Sequence, residues 1–249
     1  MTIKAVIFDL GHTVWDFAPT EESRRYAVLR LHNRLYEAYG DGTPPPRALD
    51  RAFTSVVARW LAEWSTEDGD LVQLPSEQLV REVLATFELA AEADLLRELT
   101  IAILGLEVQM PVIEPDSLAA IATLHARGLS MGCVTNTLAL EEAIVDVLER
   151  LGLVRYLDAR VVSSAAGYRK PHASLFQRAL DDLDVAPHEA VFVGDRLYED
   201  VSGPKAIGMR AVLTHQYRQE ALDGAIVAPD AVIRRLAELP EVIERLNGS

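Results

Sequence analysis

Four short segments of this 249-residue chain place reactive side chains at the end of an apolar run or, for Lys170, a short loop beyond one. Asp9 follows AVIF within FDLGHT, Thr135 and Asn136 close VTN, and Lys170 sits in GYRKP. Asp195 follows Gly194 in GDRLYED, with Asp200 five residues on. Carboxylates can act as nucleophiles or bind hard cations, an ammonium offsets negative charge, and a hydroxyl donates a hydrogen bond. If each segment ends a different strand of one sheet, these groups converge on one small volume. Lysine is scarce: Lys4, Lys170 and Lys205 are the only three, the other basic residues being arginines. Lys170 stands out for that reason.

The elements that must position these groups are legible as apolar runs. Residues 3–9, 130–136, 159–165, 190–195 and 209–215 are short, almost continuously apolar and rich in Val, Ile and Phe. Such runs suit strands buried on both faces of a parallel sheet. Helical patterns lie between them at 117–128, 140–152, 172–183 and 198–208. The alternation predicts right-handed βαβ units and an α/β fold with a doubly wound, Rossmann-like parallel sheet. Ligands of such sheets gather outside the carboxyl ends of the strands, where the four segments fall.

From residue 17 to residue 109 the period changes. Residues 23–40, 47–64, 76–89 and 95–106 carry apolar positions at helical spacing, with turn-forming breaks at GDGTPPP (40–46) and STEDGD (65–70). The chain therefore divides into a core of residues 1–16 and 110–249 and an all-helical domain of residues 17–109. Hinges are expected near Trp15–Pro19 and Met110–Pro115. The C-terminal AVIRRLAELPEVIERL (231–246) reads as two short helices closing one edge.

Bulk composition removes several function classes. Acidic residues number 38 against 24 basic ones, a net charge of −14, which opposes non-specific binding to nucleic acid or an anionic membrane. No run approaches the roughly 20 apolar residues of a membrane span. The N-terminus shows no leader pattern, so a cytoplasmic location is expected. The single Cys133 excludes an internal disulfide and a multi-cysteine metal site, and it reads as inert core.

In this order and strand context, the four segments resemble the motifs of the haloacid dehalogenase superfamily. Those motifs are DxDxT, a Thr or Ser, a Lys, and GDxxxD or GDxxxxD, and the helical insertion resembles the family's C1-type cap. The resemblance implies that Asp9 is a nucleophile forming an aspartyl-phosphate. It implies Mg2+ held by Asp9, the Gly11 carbonyl and Asp195, with Asp200 either on the ion or directly behind these ligands. Lys170 would neutralise charge on nucleophile and phosphoryl group, while the Thr135 hydroxyl and the Asn136 backbone N–H hold phosphoryl oxygens. His12, next to the first motif, is a candidate for touching substrate. Of the adjacent Glu199 and Asp200, one is expected to face the site and the other solvent, with spacing favouring Asp200.

One position departs from the family pattern. Most of its phosphatases use the second Asp of the first motif to protonate the leaving group and then activate water; here that position is Gly11. General acid–base assistance, typically worth about 10²–10⁴-fold, needs another source. His12, water or a good leaving group would have to serve. Haloacid dehalogenases carry a bulky residue there and attack carbon without metal, whereas this chain keeps a metal-type fourth motif. Phosphonoacetaldehyde hydrolases need a cap lysine, and residues 17–109 contain none. Some sugar-phosphate phosphatases share the DLG start. The expectation is thus a Mg2+-dependent phosphatase acting on a small phosphorylated metabolite. A metal-independent 2-haloacid dehalogenase and a non-catalytic phosphate-binding protein are the alternatives.

Overall fold

The computed structural model describes residues 2–18, 20–64, 71–105, 110–222 and 226–248. Its strands are β1 (Ala5–Phe8), β2 (Asp16–Phe17), β3 (Pro111–Val112), β4 (Ser130–Thr135), β5 (Ala159–Val162), β6 (Ala190–Gly194), β7 (Arg210–Thr214) and β8 (Ala231–Ile233). Six of them form one parallel sheet in the order β5-β4-β1-β6-β7-β8, and β2 pairs with β3 in a separate antiparallel ribbon. The helices are α1 (Glu21–Tyr39), α2 (Pro46–Trp64), α3 (Ser76–Ala85), α4 (Ala93–Leu104) and α5 (Pro115–Ala126). After these come α6 (Glu141–Arg150), α7 (Ser163–Ala166), α8 (Ala173–Asp182), α9 (Gly203–Ala206) and α10 (Leu239–Asn247).

The sheet is buried on both faces, as the continuous apolar runs require. Alternate residues of β1 separate into two cores: Val6 and Phe8 pack with Leu124, Leu148 and Ile243, whereas Ala5 and Ile7 pack with Phe176, Leu180 and Phe192. Fully burying a side chain such as Phe8 contributes about 1.5–3 kcal/mol, so these runs specify the sheet strongly. β1 lies between β4 and β6, and the chain first builds one half of the sheet, then the other. The strand order reverses there, and a crevice opens at the carboxyl ends.

Helices α1 to α4 bury an apolar cluster of their own around Leu31, Leu35, Leu49, Trp60, Leu79 and Leu99. Thr20 starts α1 with a capping box shared with Ser23. The β2–β3 ribbon stands where the hinges were expected, with Ala18 N donating to Met110 O at 3.3 Å. Pro19, the break expected at 65–70 and residues 106–109 lie outside the described residues.

Three expectations need correction. Residues 231–233 form the edge strand β8 rather than a helix, because β7 offers a free edge and Ala-Val-Ile packs on it. Residues 163–165 leave the sheet and begin α7. The insertion is also not purely helical: Val72 forms an antiparallel bridge to Tyr168. Gln73 N donates to Gly167 O at 3.0 Å and Arg169 N to Leu71 O at 2.7 Å, so residues 71–73 are annealed to the loop bearing Lys170. Among the described residues, no helix is long and apolar enough to cross a membrane.

Candidate active site

Asp9 follows β1 and is anchored by its own N–H, which donates to Val193 O at 2.8 Å. The chain then turns sharply, with the N–H groups of Thr13, Val14 and Trp15 all directed at Leu10 O. His12 occupies the left-handed region (φ 59°), which His adopts more readily than most residues. This turn brings Phe17 back over Gly11: a Cβ on Gly11 would lie 2.8 Å from Phe17 Cε2. The absence of a side chain at residue 11 is therefore matched by a ring that fills its place.

Lys170 reaches the centre of the crevice. Its Nζ donates to Asp9 Oδ1 and to Asp200 Oδ1, each at 2.7 Å, and lies 5.3 Å from the Phe192 ring centroid. Burial alone would lower its pKa, but the carboxylates of Asp200, Asp9 and Glu199 hold it above the ordinary value. Asn136 fixes the backbone behind it. Its Oδ1 accepts from Lys170 N at 2.8 Å, and its Nδ2 donates to Lys170 O at 3.3 Å and to Glu199 Oε2 at 3.1 Å. The Asn136 side chain is thus spent on Lys170, whatever its backbone does. Thr135, the last residue of β4, is buried at the pocket wall.

Asp200 folds back toward β6. Its Oδ2 accepts from the N–H groups of Asp195 and Arg196, both at 3.0 Å. That approach needs the glycine at 194, where a Cβ would come within 2.3 Å of Asp200 Cβ. With Lys170 on the other oxygen, both carboxylate oxygens of Asp200 already accept hydrogen bonds. The segment Leu197–Ser202 forms a π-type turn, and its wider winding turns adjacent residues inward together. Glu199 lines the pocket beside buried Asp200, so the expectation that one of them faces solvent is corrected.

Asp9, Asp195 and Asp200 offer carboxylate oxygens within 4.8 Å of one another. Burial, followed by the charges of Asp9 and Asp200, pushes Asp195 up to about 7, against the pull of Arg218 and Lys170. Asp9 and Glu199 are also raised, chiefly by burial. Negative charge here is incompletely compensated by the protein, and the donors are all oxygens. Such a set fits a hard divalent cation.

The cavity is about 490 Å³ and includes Asp9, Gly11, His12, Thr135 and Asp195 in its wall. His12 Nδ1 pairs with Asp16 Oδ1 at 2.8 Å, which ties one face of the ring to β2. Arg218, on the loop after β7, reaches Asp195 Oδ2 at 3.2 Å. Sequence reasoning missed Arg218, Asp16 and Phe17. Arg218 had no local signal, whereas the i, i+4 spacing of His12 and Asp16 was one that could have been followed. Cys133 is fully buried in β4, and burial pushes its thiol up to about 12, as suits inert core.

A parallel sheet with an acidic cluster and a bridging lysine at its switch point, and a helical insertion after the first strand, defines a doubly wound α/β enzyme class. The model of the haloacid dehalogenase-like hydrolases matches residues 3–208. The chain belongs to that family. A glyceraldehyde 3-phosphate phosphatase of Methanopyrus kandleri is 28% identical over 247 residues, covering 98% of each chain. One of Pyrococcus furiosus is 34% identical over 136 residues, 54% of this chain and 56% of that protein. That second match spans about half the relative's length. Among solved structures, a 2-haloacid dehalogenase of Pseudomonas syringae pv. Tomato DC3000 superposes with a TM-score of 0.69 and 27% identity, covering 98% of this chain and 100% of its own.

Proposed function

We propose that this protein is a Mg2+-dependent phosphatase that hydrolyses a small phosphorylated metabolite through an aspartyl-phosphate on Asp9. The observation that carries the reading is the Lys170 bridge between Asp9 and Asp200 beside a cluster of three carboxylates. The phosphatase names of the two relatives support it.

Asp9 attacks phosphorus, a carboxylate O–P bond forms, and the bond to the leaving oxygen breaks. Water then attacks the phosphorus, releasing phosphate and returning Asp9. Lys170 favours the ionised form of Asp9 against the effect of burial and offsets charge on the transferring group, and the Thr135 hydroxyl and Asn136 N–H hold its oxygens. Asp9, the Gly11 carbonyl and Asp195 would hold Mg2+, with Asp200 behind them. When bound, the ion supplies positive charge that offsets repulsion between carboxylate and phosphoryl oxygens. His12, oriented by Asp16, takes the place of the missing acid at Gly11.

Residues 1–16 and 110–249 act as the catalytic core and residues 17–109 as a cap over it, in the cytoplasm. Purified protein should release phosphate from an aryl phosphate with Mg2+, stop when EDTA is added, and lose turnover in Asp9→Asn. Unchanged release in Asp9→Asn sinks the assignment. The structural likeness to a 2-haloacid dehalogenase favours one rival. Halide release from a 2-haloacid that persists in EDTA would establish that rival instead.

A further inference from the structure

Beyond Phe17 at its start, the insertion contributes Val57 and Leu61 to the wall of the catalytic cavity among the described residues. Four residues apart on α2, they share one helix face, and both are aliphatic. Leu138, from the loop after β4, completes this side. The same three side chains also wall a second cavity of about 460 Å³ between α1, α2 and α4. Ala27, Val28, Phe53 and Ile103 line much of the rest.

The polar groups at the rim of the second cavity pair with one another. Arg24 Nε donates to Asp50 Oδ1 at 3.0 Å, and Arg24 Nη2 to Thr54 Oγ1 at 2.7 Å. Leu61 stands at the junction with 51% of its surface exposed, an apolar side chain left uncovered between the two spaces. The phosphoryl end of the crevice is thus polar and charged, and the end facing the cap is apolar. A leaving group bearing hydroxyl or carboxylate groups would lose its water against the aliphatic side chains of Val57, Leu61 and Leu138 with no hydrogen bond from them in return. An alkyl or aryl group would displace water from aliphatic walls and gain by it.

We infer that the substrate is a phosphomonoester of a hydrophobic alcohol, whose apolar group passes between Val57, Leu61 and Leu138 into the second cavity. This deepens the phosphatase reading and rests on it for the identity of the polar end. The inference departs from a small sugar phosphate of the kind named for the relatives.

Binding of n-alkyl phosphonates from methyl to octyl, measured by calorimetry on the full chain with Mg2+, tests it without turnover. Each added methylene should tighten Kd by about two- to fourfold over the first several carbons, as expected for CH2 groups leaving water. Leu61→Gln, at an exposed position, should flatten that dependence, and Val57→Phe should end it at a shorter chain. A Kd that is flat with chain length, no binding at any length, or a dependence unchanged in both variants overturns the inference. Chain-length-dependent binding with no phosphate release from the matching alkyl phosphates leaves the apolar subsite standing and removes the phosphatase reading.

Discussion

The edge of the Phe17 ring occupies the space that a side chain at Gly11 would need, with Cε2 only 2.8 Å from the position of a Cβ. Gly11→Asp therefore does not simply restore the family's usual acid. Its stability should fall by about 1–3 kcal/mol, the typical cost of overpacking, because the ring must be pushed aside. Combining Gly11→Asp with Phe17→Leu removes the clashing ring atoms. The double variant should hydrolyse alkyl phosphates about tenfold faster than Phe17→Leu alone, within the usual worth of general acid catalysis. Urea unfolding and kcat for both backgrounds decide the matter. A single Gly11→Asp variant that is as stable as wild type and faster on alkyl phosphates would show that Phe17 is no obstacle.

His12 and Asp16 provide a second measurement. If the pair replaces the missing acid, His12→Ala should slow alkyl phosphates about tenfold or more and aryl phosphates much less, since a phenolate leaves with little protonation. Asp16→Asn should produce a weaker version of the same selectivity, because it loosens the ring rather than removing it. Equal losses on both substrate classes would assign the pair to packing the first loop.

Asp195 should change sign with the metal. In EDTA its charge is disfavoured by burial and by Asp9 and Asp200, so Asp195→Asn should raise the melting temperature. In wild type, Mg2+ at about 100 times its Kd should add about 2.7 kcal/mol of stability through mass action. Asp195→Asn should lose most of that increment. Thermal unfolding of both proteins with and without Mg2+ checks this, and an intact Mg2+ increment in the variant would remove Asp195 from the ligand set.

Lys170→Met tests the central bridge through stability alone. The substitution leaves the carboxylates of Asp9 and Asp200 buried without their shared cation. Breaking a buried pair in this way costs about 3–5 kcal/mol. Adding Asp200→Asn should recover part of the loss, since one uncompensated charge is removed. A loss of under about 1 kcal/mol in Lys170→Met, read from urea midpoints, would mean that the pair is open to water.

Asp9, Thr135 and Asp195 were legible in the sequence because each closes or follows a short apolar run, and such a run specifies a buried parallel strand by local pattern alone; Lys170 was legible as one of only three lysines, a short loop beyond such a run. Their chain order and strand context also carried the family. Other features arose only from chain segments meeting in three dimensions. Phe17 meets Gly11 because the loop after β1 doubles back, and Arg218 meets Asp195 because β6 and β7 are neighbours in the sheet. Glu199 turns inward because the helix after Asp195 widens into a π-type turn, which a helical period of 3.6 does not anticipate. Asn136 is committed to the Lys170 backbone across 34 positions of chain. Residues 231–233 became a strand because β7 presented an unpaired edge, and a three-residue apolar stretch does not choose between helix and strand by itself. Local periodicity determined which side chains reach the crevice; tertiary contact decided which of them are held, neutralised or displaced there.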